Sequence, residues 1–144
     1  MKVLLDTNVI FPAVTVGHPN HNICTALITR LAGEAEIVVL STHLIAELYS
    51  NLTRIPNLKI APADAGVVIF NLVDRFSSVE LSEEDYLAAV DRCTGLNLSG
   101  AVIYDALHFQ AAIKGAVDIL YTFNLKAFER LMTEEVAFEV KAPN

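Results

Sequence analysis

At 144 residues the chain has the length of one domain with a single core and is short for two. Its 53% hydrophobic content is rich for a soluble protein, and suggests strands buried on both faces or apolar surface covered in an oligomer. Ten Lys and Arg against 17 Asp and Glu leave a formal net charge of -7, which excludes diffuse charge-driven binding of polyanions and confines any nucleic-acid contact to a local patch.

The first element is "KVLL", a short apolar strand over residues 2–5 that meets Asp6 at once. Three apolar residues are too few for a secretory core, and the uncharged run from Thr7 to Thr29 is broken by "GHPNHN". Neither a signal peptide nor a membrane span is expected, and the chain reads as cytoplasmic. A helix follows in "NHNICTALITRLAG", with Gly33 as its C-terminal stop, and then the strand "EIVVL". "STHLIAELYSNLTRI" reads as a helix that stops before Pro56. Its apolar stripe is Leu44, Ile45, Leu48 and Leu52, and a second stripe carries His43, Glu47, Asn51 and Arg54.

"PADAGVVIFNLVDRF" opens on proline, as a first helical turn permits. After the strand "SSVEL", the helix "SEEDYLAAVDRC" starts with a capping box of Ser82 and Asp85. "GAVIYDALHFQAAIKG" is a helix closed by Gly115, and the strands "VDILYT" and "VAFEV" complete the order. No repeat or linker divides the sequence, so residues 1–144 parse as one domain. Strands alternating with helices predict an α/β fold, with a mostly parallel central sheet flanked by helices on both faces. Cys24 and Cys93 lack zinc-site spacing and read as core residues.

In such sheets ligands bind beyond the carboxyl ends of the strands. Asp6 stands at that end of the first strand, and Thr122 and Asn124 stand at that end of "VDILYT". Asp6 alone is either a turn residue or a ligand. Glu47 is either part of a solvated helix face or a ligand. Asp105 interrupts an otherwise apolar helix, where a buried carboxylate needs a cation or strong donors, and His108 one turn on is a structural partner for it. Three carboxylates with no cysteine and only distant histidines suit Mg²⁺ or Mn²⁺, and a phosphodiester is the matching substrate class. Arg54, Lys126 and Arg130 are candidate phosphate contacts, or else solvated surface cations. Thr7 and Thr122 are candidate hydroxyl donors to the site, or else turn residues. Asp118 begins the strand that Asn124 follows, roughly 20 Å away. His18 and His21 are assigned no chemistry.

From "VLLDTNVI" through "LIAELYSNLTR" and "GAVIYDALHFQAA" to "LYTFNLKAFERL", the chain resembles the PIN-domain ribonucleases, and most closely the VapC-like toxins of toxin-antitoxin modules. The resemblance implies that Asp6, Glu47 and Asp105 are the metal-binding acids and that Asn8 supports the loop after the first strand. A fourth acid is common in a T-x-D segment, where this chain has Thr122, Phe123 and Asn124; Asn124 would enter the catalytic set by coordinating metal or holding a metal-bound water, without adding charge. The implied activity is hydrolysis of RNA with Mg²⁺ or Mn²⁺, leaving a 5′ phosphate, with Asn8, Arg54, Thr122, Lys126 and Arg130 toward the substrate. The implied partners are RNA and a VapB-like antitoxin, and the apolar composition adds a second copy in a homodimer. Competing readings are a non-catalytic PIN module, a housekeeping RNA-processing nuclease, and a haloacid-dehalogenase phosphatase. The last wants an acid where Asn8 stands.

Overall fold

The computed structural model describes residues 1–58 and 60–144. Among them the chain runs β1 (Lys2–Leu5), α1 (Thr7–Ala13), α2 (His21–Gly33), β2 (Ile37–Ser41), α3 (His43–Arg54) and α4 (Pro62–Arg75). It continues with β3 (Ser77–Val79), α5 (Glu83–Gly95), α6 (Val102–Lys114), β4 (Ile119–Tyr121), α7 (Leu125–Leu131) and β5 (Glu139–Lys141). The strands form one parallel sheet in the order β3-β2-β1-β4-β5.

β1 is central, and period-2 alternation sends its side chains to two separate apolar layers. Val3 and Leu5 join Ile10, Leu27, Leu44 and Leu48 on one face. Leu4 joins Phe109, Leu120 and Phe128 on the other. Both faces being dry accounts for the high apolar content expected of strands buried on both sides. Cys24 and Cys93 lie in these layers as free thiols, and burial pushes the Cys24 thiol up to about 11.

From β1 the chain moves outward to β2 and β3, then crosses to the other side of β1 for β4 and β5. The reversal makes a crevice beyond the carboxyl ends of β1 and β4. Val3, Leu4 and Leu5 pair with Ile119, Leu120 and Tyr121, so Asp6 and Thr122, the next residue on each strand, emerge at the same level.

Several local expectations are corrected. Asn8 belongs to the first turn of a short helix, α1, rather than to a loop; the uncharged stretch that precludes a membrane span still supports two helical turns. α7 follows Asn124 directly. Ile45 is 37% exposed, because α3 buries only the narrow row Leu44, Leu48 and Leu52. Gly33 ends its helix in ordinary conformation, and Ala35 takes the left-handed position at φ 55°. Gly115 is required by space: a Cβ there would lie 2.9 Å from Val79 Cγ2 and 3.0 Å from the Ala111 carbonyl.

The capping box forms as expected. Asp85 N donates to Ser82 Oγ and Ser82 N donates to Asp85 Oδ2. Asp85 also receives Lys114 Nζ at 2.6 Å and Gln110 Nε2 at 3.2 Å, which ties α5 to α6. The Lys114 ammonium, and after it the Ser82 backbone, hold the Asp85 carboxyl well below the usual carboxylate range.

A depressed folded-state pKa contributes stability above the unfolded value near 4 that is lost as pH falls below it. Lys114→Met should therefore cost about 1 kcal/mol at pH 7, a modest figure because the Lys114 side chain is 41% exposed. The gap from wild type should shrink between about pH 4.5 and pH 2. Urea unfolding across that range is the measurement, and a pH-independent gap would show that the ion pair does not couple the two helices.

Candidate active site

Asp6 occupies the N-cap position of α1, yet its carboxylate does not cap the helix. Its backbone does the local work: the N–H donates to the Tyr121 carbonyl at 3.0 Å, and its carbonyl accepts from Val9 N and Ile10 N. The side chain is thereby released from the turn role and points into the crevice. It is 3% exposed and accepts the Thr122 hydroxyl at 2.7 Å. Thr122 Oγ1 in turn accepts from Asn8 Nδ2 at 3.1 Å and from Asn124 N at 3.0 Å. Asn8 Oδ1 accepts from Phe123 N at 3.1 Å. Asn8 and Thr122 thus staple α1 to the loop after β4 and fix the Asp6 rotamer, and fully buried Thr122 sits beneath Asp6.

Glu47 enters from α3 and Asp105 from the first turn of α6. Between Asp6 and Glu47 lies a group that was expected elsewhere. His108, 1% exposed, places Nε2 3.5 Å from Asp6 Oδ1, 3.5 Å from Glu47 Oε1 and 3.2 Å from Thr7 Oγ1. It is the partner of these acids, while the direct donor to Asp105 is Asn124, whose Nδ2 lies 3.3 Å from Asp105 Oδ2. Three residues of helix turn His108 toward the sheet and Asp105 toward the cleft. His43 Nε2 stands 3.0 Å from Glu47 Oε2, one turn earlier on α3, and its ring stacks on Tyr104 at 5.5 Å and 5°. The histidines expected to be distant therefore lie within the site. Their spacing to Glu47 and Asp105 was visible, but the register that turns them inward is set by packing.

Burial alone would disfavour a charged His108, but Asp6, Glu47 and Asp105 outweigh it and raise its pKa. Burial pushes Glu47 up, and the hydrogen bond from His108 and the close approach of His43 overcome this and hold it below the ordinary range. For Asp105, burial and then the Asp6 charge dominate, with His108 and Asn124 opposing, and the carboxyl is pushed up to about 6. Protein groups alone leave an excess of negative charge here, and the carboxylate oxygens are the donors a hard divalent cation takes. The residues fit such an ion.

Asp6, Asn8, Glu47 and Asp105 line a cleft of about 320 Å³ with Phe11, His18 and Asn51. Glu47 and Asp105 also face a second cleft of about 590 Å³ with His43, Arg54 and Tyr104. Glu47 and Asp105 stand on the divide between two openings. Exposed Lys126 and Arg130 on α7 line neither, and nor does exposed Asn124. Asp118 lies at the other end of the sheet, where Oδ2 accepts the Lys2 N–H.

Residues 3–132 match the family model for the PIN domain. The chain belongs to the PIN-domain family. This PIN domain is similar to the structure of VapBC2 from Rickettsia felis bound to a promoter DNA fragment, with TM-score 0.71, 19% identity and full coverage of both chains. It is similar to Mycobacterium tuberculosis VapC20, described as a sarcin-ricin loop cleaving toxin, with TM-score 0.70 and 16% identity over 92% of this chain and 97% of that one. VapBC-1 from nontypeable Haemophilus influenzae gives TM-score 0.67 and 20% identity over 99% and 98%. At these identities the likeness is one of fold. No curated protein matches the sequence.

Because the folded state raises the Asp105 pKa, it binds that proton more tightly than the unfolded chain does; the resulting penalty is absent below about pH 4 and complete above about pH 6. Asp105→Asn should accordingly stabilise the protein by about 1 kcal/mol at pH 7.5 in EDTA, allowing for its partial exposure, and by almost nothing at pH 4. Thermal unfolding at the two pH values checks this. Equal stability of both proteins at pH 7.5 would mean that the acids do not repel one another.

Proposed function

We propose that this chain is an endoribonuclease dependent on Mg²⁺ or Mn²⁺ and the VapC-like toxin of a type II toxin-antitoxin pair. The observation that carries the reading is the convergence of Asp6, Glu47 and Asp105 at the sheet crossover, with Asp105 pushed up by burial and by Asp6. These carboxylates would hold the ion, which supplies a lowered pKa for water and neutralises charge on phosphate.

The chain's own residues position and exclude. Thr122 and His108 hold Asp6, His43 and His108 hold Glu47, and Asn124 holds Asp105. In this reading Asn124 orients an acid through its amide. Arg54 lies in the same cleft as Glu47 and Asp105 and suits a phosphate flanking the one that is cut, while half-exposed Tyr104 offers a face for a base. With a net charge of -7, attraction of RNA rests on the ion and on local cations, including Arg54 and, along α7, Lys126 and Arg130.

The likeness to VapBC proteins supports a VapB-like antitoxin as partner. A basic side chain on its tail would pair with the carboxylates and block ion and RNA together. Exposed Tyr86, Leu87 and Val90 on α5 are apolar surface suited to a homodimer. No helix among the described residues is long and apolar enough to cross a membrane, and the cytoplasm, where RNA is met, is the proposed location.

Purified protein should cut RNA with Mg²⁺ or Mn²⁺, and Asp6→Asn, Glu47→Gln and Asp105→Asn should each lower the rate at least about 100-fold while remaining folded. Cleavage that persists in excess EDTA would overturn the metal-dependent reading. Expression alone should arrest growth of the native host, and co-expression of a small protein encoded beside it should restore growth. Harmless expression of a cleaving protein would remove the toxin assignment and leave the nuclease.

A further inference from the structure

His43 and His108 add something the three acids do not need. Mg²⁺ takes oxygen ligands, whereas imidazole nitrogen suits the later first-row ions. We propose that His43 Nε2, His108 Nε2 and a Glu47 carboxylate oxygen form a second cation site, selective for Zn²⁺ and similar ions. It overlaps the acidic site at Glu47.

The three ligating atoms lie within 4.8 Å of one another, with His43 3.0 Å and His108 3.5 Å from the two Glu47 oxygens. Zinc held tetrahedrally at bonds of about 2.1 Å separates its ligands by about 3.4 Å. The two rings approach Glu47 at near this spacing, each at a different oxygen, and rotation of the carboxylate with closure of the rings brings three ligands to one ion. Three protein ligands leave the fourth position to water.

His43 Nε2 is buried and faces Glu47 Oε2 at 3.0 Å, close enough for an ion pair but not aligned for a hydrogen bond. A buried ring nitrogen beside a carboxylate but out of hydrogen-bond alignment is incompletely satisfied, and a metal ion between the two would bond both. The rings are preset: His43 is held flat against Tyr104 and edge-on to His108 at 5.5 Å. His43 and Glu47 both line the cleft of about 590 Å³, which gives an ion a route in.

Glu47 cannot serve an ion on the histidine pair and one beside Asp6 and Asp105 equally well. Zinc on the histidines would therefore oppose Mg²⁺ or Mn²⁺ at the acids and inhibit cleavage, a consequence that rests on the nuclease reading. The zinc site itself does not.

The test uses the full chain without RNA, stripped of metal. Zn²⁺ alone is titrated by calorimetry and against a chromophoric chelator, and Co²⁺ alone is followed by its visible absorption, which reports nitrogen ligands in a low-coordinate site. Wild type should take one Zn²⁺ per chain. His43→Ala, whose side chain is 13% exposed and outside the core, should weaken Zn²⁺ binding at least about tenfold and abolish the Co²⁺ band. Asp105→Asn should keep both. Wild-type zinc affinity in His43→Ala would overturn the proposal, as would a loss in Asp105→Asn equal to that in His43→Ala. A protein that binds zinc as described but never cuts RNA would refute the nuclease reading alone.

Discussion

Three carboxylates from three elements are held at one end of a sheet, in surroundings that amplify their repulsion. Chain geometry enforces this. Asp6 is fixed by the β1–β4 register and a bond from its own N–H to Tyr121, Glu47 by burial of the Leu44, Leu48 and Leu52 row beneath α3, and Asp105 by the packing of α6 against the other face. None can retreat without giving up core contacts. Two dry layers of apolar side chains thus supply the energy that holds like charges together.

The local donors explain how the arrangement survives. Thr122, Asn8, Asn124 and Thr7 contribute neutral hydrogen bonds, and His43 and His108 contribute groups able to carry positive charge. Among the described residues no Lys or Arg pairs with these acids, although salt bridges occur elsewhere, as at Asp85 and Lys114. A lysine there would settle the electrostatics permanently and leave nothing for a cation to do. Neutral donors and two histidines orient the carboxylates while keeping their charge available.

Much of this was legible before any coordinates. The five strands and five longer helices announce themselves by period and by punctuation such as Pro56, Pro62 and the Ser82 to Asp85 box. Asp105 stands out because it interrupts an apolar helix, whereas Asp6 and Glu47, readable singly as a turn residue and a solvated helix face, gain weight only as members of a set of three carboxylates and from the family resemblance. α1 and α7 were not assigned from pattern, since seven residues carry less than two full turns of periodicity. The placement of His108 was invisible for another reason. Sequence spacing set it one turn from Asp105, but a difference of about 60° around a helix decides whether a side chain faces sheet or cleft, and only packing fixes that rotation. Asn124 likewise sits beside Asp105 because β4 ends where it does.

The central position of β1 has a bearing on how the molecule is made. β1 precedes the strands that flank it in the sheet, yet its neighbour β4 begins only at Ile119. Until then Leu4 and Leu5 lack half their sheet, and Asp6 lacks the Thr122 hydroxyl that orients it, 116 residues away in sequence. Pairings of such long separation form late in folding. The crevice therefore cannot assemble before β4 and Thr122 are available, and whatever chemistry it performs waits on that late pairing.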